Sequence, residues 1–183
     1  MIYAVECNFA DPASEAEWNH FYSLQKLPAL ISVRGFHTSQ RFKACGPGCP
    51  AYLALHTIDG LEVLLGEEYA RKGGGNFARW QRHITQWRRT LYDSPARAPA
   101  IEPGGYLLVS HAGPGPLTAM GITSQALHAV ALDRTPARLW LASVAQAGAP
   151  GVDTLPEGVH AYVPLTGQLN SPQGAAPRAL EPR

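Results

Sequence analysis

Residues 35–58, GFHTSQRFKACGPGCPAYLALHTI, set two alternating runs on either side of a CGPGC insert. In the first run Phe36, Thr38, Gln40 and Phe42 share one face, and His37, Ser39 and Arg41 share the other. In the second, Tyr52, Ala54, His56 and Ile58 oppose Leu53, Leu55 and Thr57. A period of two in residues that favour extended backbone predicts strands, and a short Gly/Pro segment between them predicts an antiparallel hairpin. Gly46 and Gly48 can take positive φ, and Pro47 pre-sets a turn dihedral. A reactive dithiol normally has two residues between its cysteines at a helix N-terminus, whereas three residues separate Cys45 from Cys49, between strands. A zinc site would need more ligands, with Cys7 and a histidine the available set. The pair therefore reads as a turn, with a local disulfide open to it under oxidant.

The same alternation opens the chain. In IYAVECNFA, Tyr3, Val5, Cys7 and Phe9 face one way and Ala4, Glu6 and Asn8 the other. Asp11 with Pro12, or Ser14 with Glu17, can start a helix. Trp18, Phe21, Tyr22, Leu24, Gln25 and Leu27 follow at helical spacing, and Pro28 predicts the end of that helix. LEVLLGEEY reads as a short helical turn, and KGGG as a flexible linker or a lid. Asn76 then caps an expected second helix with Phe77, Trp80, Ile84 and Trp87 on its buried face, before a fourth strand in RRTLYD. The order over residues 1–93 is βαββαβ, an α+β ferredoxin-like unit with both helices on one sheet face.

Residues 94–105, SPARAPAIEPGG, read as a Pro/Ala-rich linker. Beyond it YLLVSHA, ARLWLASVAQ and GVHAYVPLTG are strands, and LTAMGITSQALHAVAL mixes helix and strand signals. Residues 106–167 are thus expected to form a smaller α+β unit, a degenerate βαββ partial repeat. Residues 168–183 lack apolar content and read as a disordered tail. The chain has 183 residues, 45% hydrophobic and 16% charged, with a net charge of +1, which excludes global disorder and gives no basic bias toward nucleic acid. Arg79, Arg82, Arg88 and Arg89 read as a solvated face. No stretch is apolar enough to span a membrane, and the N-terminus lacks the basic region of a secretory signal. An odd count of 3 cysteines fits a reducing cytoplasm.

WNHFYSLQKLPALISVRGFHTSQRF, with YLALHTIDG and WQRHITQWRRTLY, resembles the dimeric α+β barrel superfamily, nearest its EthD-like and muconolactone-isomerase-like branches. The shared features are an aromatic first helix ending in Leu-Pro, a Gly-Phe opening strand two, an Arg-Phe closing it and the YLAL third strand. This resemblance covers about half the chain. It implies two ferredoxin-like units pairing into an eight-stranded barrel, with a small aromatic or polyketide-like molecule held between sheet and helices. A homodimer is implied unless the second half covers the open sheet face itself. Many such relatives carry an acid–base histidine just before the Leu-Pro; here Lys26 stands there, and His20 is out of register with it.

The residues themselves point to His37 and Arg41 as a catalytic pair. Arg41 would anchor a carboxylate or enolate and His37 would move a proton. Glu6, Asn8, Trp18, Tyr22, Tyr52, His56, Trp80 and His83 are expected around the ligand. The plainer alternative is a Glu6–Arg41 ion pair among interface residues, with the histidines satisfied in the core. No metal motif, phosphate loop or nucleophile elbow occurs, so no cofactor is expected. Three functions remain: a cofactor-independent isomerase, cyclase or decarboxylase acting on an anionic or aromatic metabolite; a cofactor-free monooxygenase; or a non-catalytic binding protein. A barrel filled with side chains and holding no cavity would favour the last and sink the other two.

Overall fold

The computed structural model describes residues 1–145, 151 and 154–172. The strands are β1 (Ile2–Phe9), β2 (Phe36–Ala44), β3 (Tyr52–Ile58), β4 (Ile84–Asp93), β5 (Tyr106–Ser110), β6 (Gln125–Leu132), β7 (Arg138–Val144), β8 (Val159–Pro164) and β9 (Leu169–Asn170). Following hydrogen-bonded neighbours from β3 through β1, β4, β6, β7, β5, β8 and β2 leads back to β3. Eight antiparallel strands therefore close a barrel within one chain, which leaves no open sheet edge between them. The first half contributes the order β2–β3–β1–β4 and the second half β6–β7–β5–β8, with seams at β4–β6 and β8–β2. Each seam joins the fourth strand of one half to the second strand of the other.

Alternation places one side of every strand inside. Ile2, Ala4, Leu53 and Leu55 of the first half meet Leu107, Val109, Leu127, Leu139, Leu141 and Tyr162 of the second in one buried cluster. The barrel is filled by side chains. Residues 94–105 contribute to that filling instead of bridging two bodies. Ala98 and Ile101 are buried in the same cluster, and the Gln40 amide brackets Ile101, donating to its carbonyl (2.7 Å) and accepting from its N–H (3.0 Å). The expected linker is thus packed core, because its two apolar side chains find a lined interior and its backbone finds partners.

The outer face of the first half is covered by helices: α1 (Glu15–Phe21), a π-helical turn (Tyr22–Lys26), α2 (Leu27–Ile31), α3 (Leu61–Leu65) and α4 (Glu67–Arg71). Tyr3, Val5, Trp18, Tyr22, Leu27, Leu30, Phe36, Tyr69 and Phe77 make this second core. A short α5 (Gly115–Ala119) covers a smaller cluster on the second half, around Leu108, Leu117 and Ala161.

Four local expectations change. The first helical run passes Pro28 and continues to Ile31; a proline has no N–H to give, and the wide π turn before it relaxes the ladder at that point. Its buried stripe is Trp18, Tyr22, Lys26, Leu27, Leu30 and Ile31, while Leu24 is 62% exposed. No second helix contains Ile84 and Trp87: a 3₁₀ turn spans Ala78–His83 and β4 starts at Ile84. Between residues 36 and 38 the β2–β3 register slips, so Phe36 joins the outer core and Thr38 turns inward. Finally, residues 168–172 do not lie in a tail. Leu169 and Asn170 pair with Ser39 and Thr38 as β9; residues 173–183 of the expected tail lie outside the described residues.

Among the described residues no helix is long and apolar enough to cross a membrane. The CGPGC segment is the hairpin turn between β2 and β3, with Gly48 at φ +88 and the Cys45 N–H donating to Ala161 O of β8. Both thiols are free, and burial raises both pKa values.

Candidate functional site

The structure separates His37 from Arg41. His37 sits at the register slip, where its Nε2 meets Asp59 Oδ1 at 2.5 Å in a largely solvated pair. Arg41 is 1% exposed on the helix-covered side of β2. Its Nη1 donates to Asn19 O (3.2 Å) and Ser23 Oγ (2.8 Å), and its Nη2 to Asn19 Oδ1 (2.8 Å). The guanidinium lies 4.1 Å from the Tyr22 ring centre and 5.0 Å from that of Trp18. Burial without a carboxylate lowers its pKa to about 10. Arg41 thus ties β2 to the first helical run.

Glu6 lies on the opposite, barrel-facing side of its strand and pairs with Arg88 at 3.3 Å, which replaces the expected Glu6–Arg41 pair. Burial raises the Glu6 pKa, and Arg88 partly offsets that. Asn8 donates to Gln86 Oε1 (2.9 Å) and accepts from Ala51 N (2.7 Å). With Cys49, Trp87 and Arg88, Asn8 lines an open groove of about 740 Å³ at one end of the barrel.

The remaining expected residues divide between the helix-facing core and its margin. Trp18 stacks on Phe9 (4.7 Å) and meets Tyr52 edge-on (4.5 Å). The Tyr52 hydroxyl accepts from Asn19 and donates to Glu15. Trp80 is buried in the 3₁₀ turn, and His83 accepts from Arg82 Nε at 2.9 Å. His56 is wholly buried, shares a hydrogen bond with Ser39 Oγ at 2.7 Å and stacks on Tyr3. Burial drives its pKa down to about 3, so it is neutral, and among the described residues its Nε2 has no partner.

What the fold does assemble is a cleft between sheet and helices, lined by Tyr3, Tyr22, Lys26, Tyr69, Phe77 and Trp87. The position before Leu-Pro puts Lys26 at the end of the π turn and on the buried stripe. Its ammonium lies 5.2 Å from the Phe77 ring centre and 5.8 Å from that of Tyr22. It donates to the carbonyls of Gly73 and Asn76, in the segment that follows α4. Burial pulls its pKa down to about 8. On the same cleft, the Tyr3 and Tyr69 hydroxyls share a hydrogen bond at 3.0 Å, and burial holds the Tyr3 pKa well up, so that hydroxyl keeps its proton.

The cleft is shut. Its free space is about 10 Å³, room for roughly one water. Its cover is the run 66–77, where Gly73 (φ +81) and Gly75 (φ +74) hold left-handed backbone. At Gly74 a Cβ would sit 2.4 Å from the Tyr69 ring, so only glycine lets this cover lie flat. Of the expected residues, Tyr22 lines the cleft and His56 stacks on its Tyr3 wall. Sequence reasoning passed over Lys26, Tyr3, Tyr69, Phe77 and Trp87 as site residues. The available signal was the 18-22-26-30 spacing, which puts a lysine on an aromatic stripe. Among the described residues no three His, Cys, Asp or Glu side chains gather to hold a metal ion.

With this geometry in view, the chain resembles three solved structures over nearly its whole length. An anthrone oxidase-like protein aligns with a TM-score of 0.55 at 11% identity, covering 98% of this chain and 95% of its own. A candidate monooxygenase from Lactobacillus acidophilus NCFM aligns at 0.56 and 8% identity, covering 93% and 96%. Another, from Fusobacterium nucleatum subsp. nucleatum, aligns at 0.52 and 10% identity, covering 92% and 96%. The chain shares their fold. No protein-family model matches the chain, and no curated protein matches its sequence.

Proposed function

We propose that the sheet–helix cleft binds a planar hydroxylated aromatic molecule and that Lys26 takes a proton from it, starting a cofactor-free oxidation by dioxygen. The observation that carries this reading is Lys26 itself: a buried amine between aromatic rings, held by two carbonyls of the cover and, among the described residues, without a carboxylate partner. A ligand that displaces those carbonyls while excluding water leaves the amine in surroundings that favour its neutral, proton-accepting form. Tyr69 supports the ligand class. The cover's own phenol stacks on Phe36 at 6.1 Å and bonds to Tyr3, the place a phenolic ligand would take once the cover lifts.

Anthrone is the natural probe, since one structural neighbour bears that name. Loss of a proton from the ring methylene gives an anion whose electrons pass to O₂. The balance is anthrone plus O₂ to anthraquinone plus water. An isomerase, cyclase or decarboxylase would share the first proton transfer and consume no oxygen. Each half is read here as a ferredoxin-like unit and residues 106–167 as a partial repeat of 1–93, supported by the matching strand orders.

Tryptophan fluorescence with 1-naphthol and an oxygen electrode with anthrone test the proposal. Binding should occur, oxygen uptake should rise through about pH 8 as Lys26 loses its proton, and Lys26→Met should lose the uptake. Uptake equal in wild type and Lys26→Met would overturn it. The filled barrel favours a second reading, binding without chemistry, which predicts 1-naphthol binding with no oxygen uptake.

A further inference from the structure

The chain has 3 lysines, and two of them are tied to carboxylates. Lys43 meets Glu15 at 3.4 Å, and Lys72 meets Glu68 at 2.7 Å while also donating to Ser32 O. Among the described residues Lys26 is the lysine without a carboxylate, and it lines a cavity walled by aromatic rings. Two carbonyls account for two of its hydrogens, and among the described residues nothing takes the remaining position on the nitrogen. A nucleophile for carbonyl carbon needs a lone pair, a dry setting and a proton donor close by. All three are present in this cleft.

We propose that Lys26 is a covalent site: its amine condenses with the carbonyl group of an aromatic aldehyde or ketone seated in the cleft, forming an imine. This rests on the ligand class proposed above and goes beyond it by naming the reactive group. The nitrogen adds to the carbonyl carbon, one C–N bond forms and the C–O π bond opens. Both hydrogens of the neutral amine then leave with the carbonyl oxygen as one water, and the C=N bond closes. Nothing is oxidised or reduced. The Tyr3 hydroxyl, on the sheet wall of the same cleft, can hand a proton to the departing oxygen, and it stays protonated at neutral pH. A lysine desolvated among apolar groups is the usual setting for such chemistry.

The test uses the full chain with 2-hydroxy-1-naphthaldehyde and cyanoborohydride at pH 8, followed by proteolysis and mass spectrometry of the adducts. An ordinary lysine is under about 1% neutral at that pH, so the Lys26 peptide should label at least about tenfold faster than those of Lys43 and Lys72. Excess 1-naphthol should suppress that label selectively, and Lys26→Arg, which keeps a donor but forms no stable imine, should remove it. A wild-type label spread over Lys43, Lys72 and the N-terminus with Lys26 untouched overturns the proposal, whether or not the variant folds. So does the absence of any adduct. If 1-naphthol still binds by fluorescence in those cases, the aromatic cleft stands and only the imine falls; if it does not bind, both fall.

Discussion

A buried cation can be a tool or a tie, and Arg41 and Lys26 show the difference. Every side-chain hydrogen bond given for Arg41 ends on Asn19 or Ser23 of the first helical run, so its role is to hold β2 to that run. Arg41→Met should cost about 2–4 kcal/mol in urea unfolding, because Asn19 and Ser23 lose a charged donor inside the core. His37→Gln should change stability by less than about 1 kcal/mol and leave 1-naphthol binding unaltered, since its Asp59 pair faces water. His56 predicts a pH effect. Its folded-state pKa, about 3, lies below the ordinary histidine value. The unfolded chain therefore takes up a proton first as pH falls, and stability is lost from about pH 6.5 downward, by up to about 1.4 kcal/mol per pH unit. His56→Gln should flatten the stability profile between pH 6 and 4; equal slopes in both proteins would show that His56 is not the group responsible.

At the scale of elements, β1, β2 and β3 were legible because their alternation is nearly unbroken, and the facing of Tyr3, Glu6, Tyr52 and His56 follows from it. The errors fall where a strand gains a residue. In β4, Gln86 takes φ +49 and the pairing slips between Glu6 and Asn8, so Ile84 and Trp87 reach one face three residues apart. A bulge thereby imitates helical spacing, which is why the run from Phe77 to Trp87 reads as a helix in sequence. The slip before Thr38 broke the expected grouping of Phe36 with Thr38 in the same way. Lys26 escaped for another reason: the π turn keeps 18, 22, 26 and 30 in one buried stripe, and a lysine there looks like a snorkelling surface residue until its carbonyl partners are seen. The cover predicts its own test. Gly74→Ala drives a methyl group into the Tyr69 ring, so the closed cover should be destabilised. Limited proteolysis should then cut between residues 71 and 77 several times faster than in wild type, and 1-naphthol should bind with a faster on-rate. Unchanged cutting and on-rate would show that the segment does not gate the cleft.

For the molecule as a whole, the decisive residues lie in the segment that composition marked as a linker. Pro and Ala dominate 94–105, yet Ala98 and Ile101 close the barrel core, and Gln40 brackets Ile101 from the first half while also donating to Thr166 O from β2. Both seams, β4–β6 and β8–β2, are already made within one chain. The inner sheet face that a single unit would expose is therefore packed against the chain's own second half, and no strand of the barrel is left to pair with a second copy. The protein should run as a 19.7 kDa monomer in native mass spectrometry and light scattering across micromolar concentrations. Ile101→Asp places an uncompensated carboxylate in that core and should cost about 3 kcal/mol or more. If the halves depend on each other, that loss appears as one cooperative unfolding step shared by the tryptophans of the first half and Trp140 of the second. A wild-type dimer, or separate transitions for the two halves in the variant, would show that the chain's own barrel closure is not what holds the fold together.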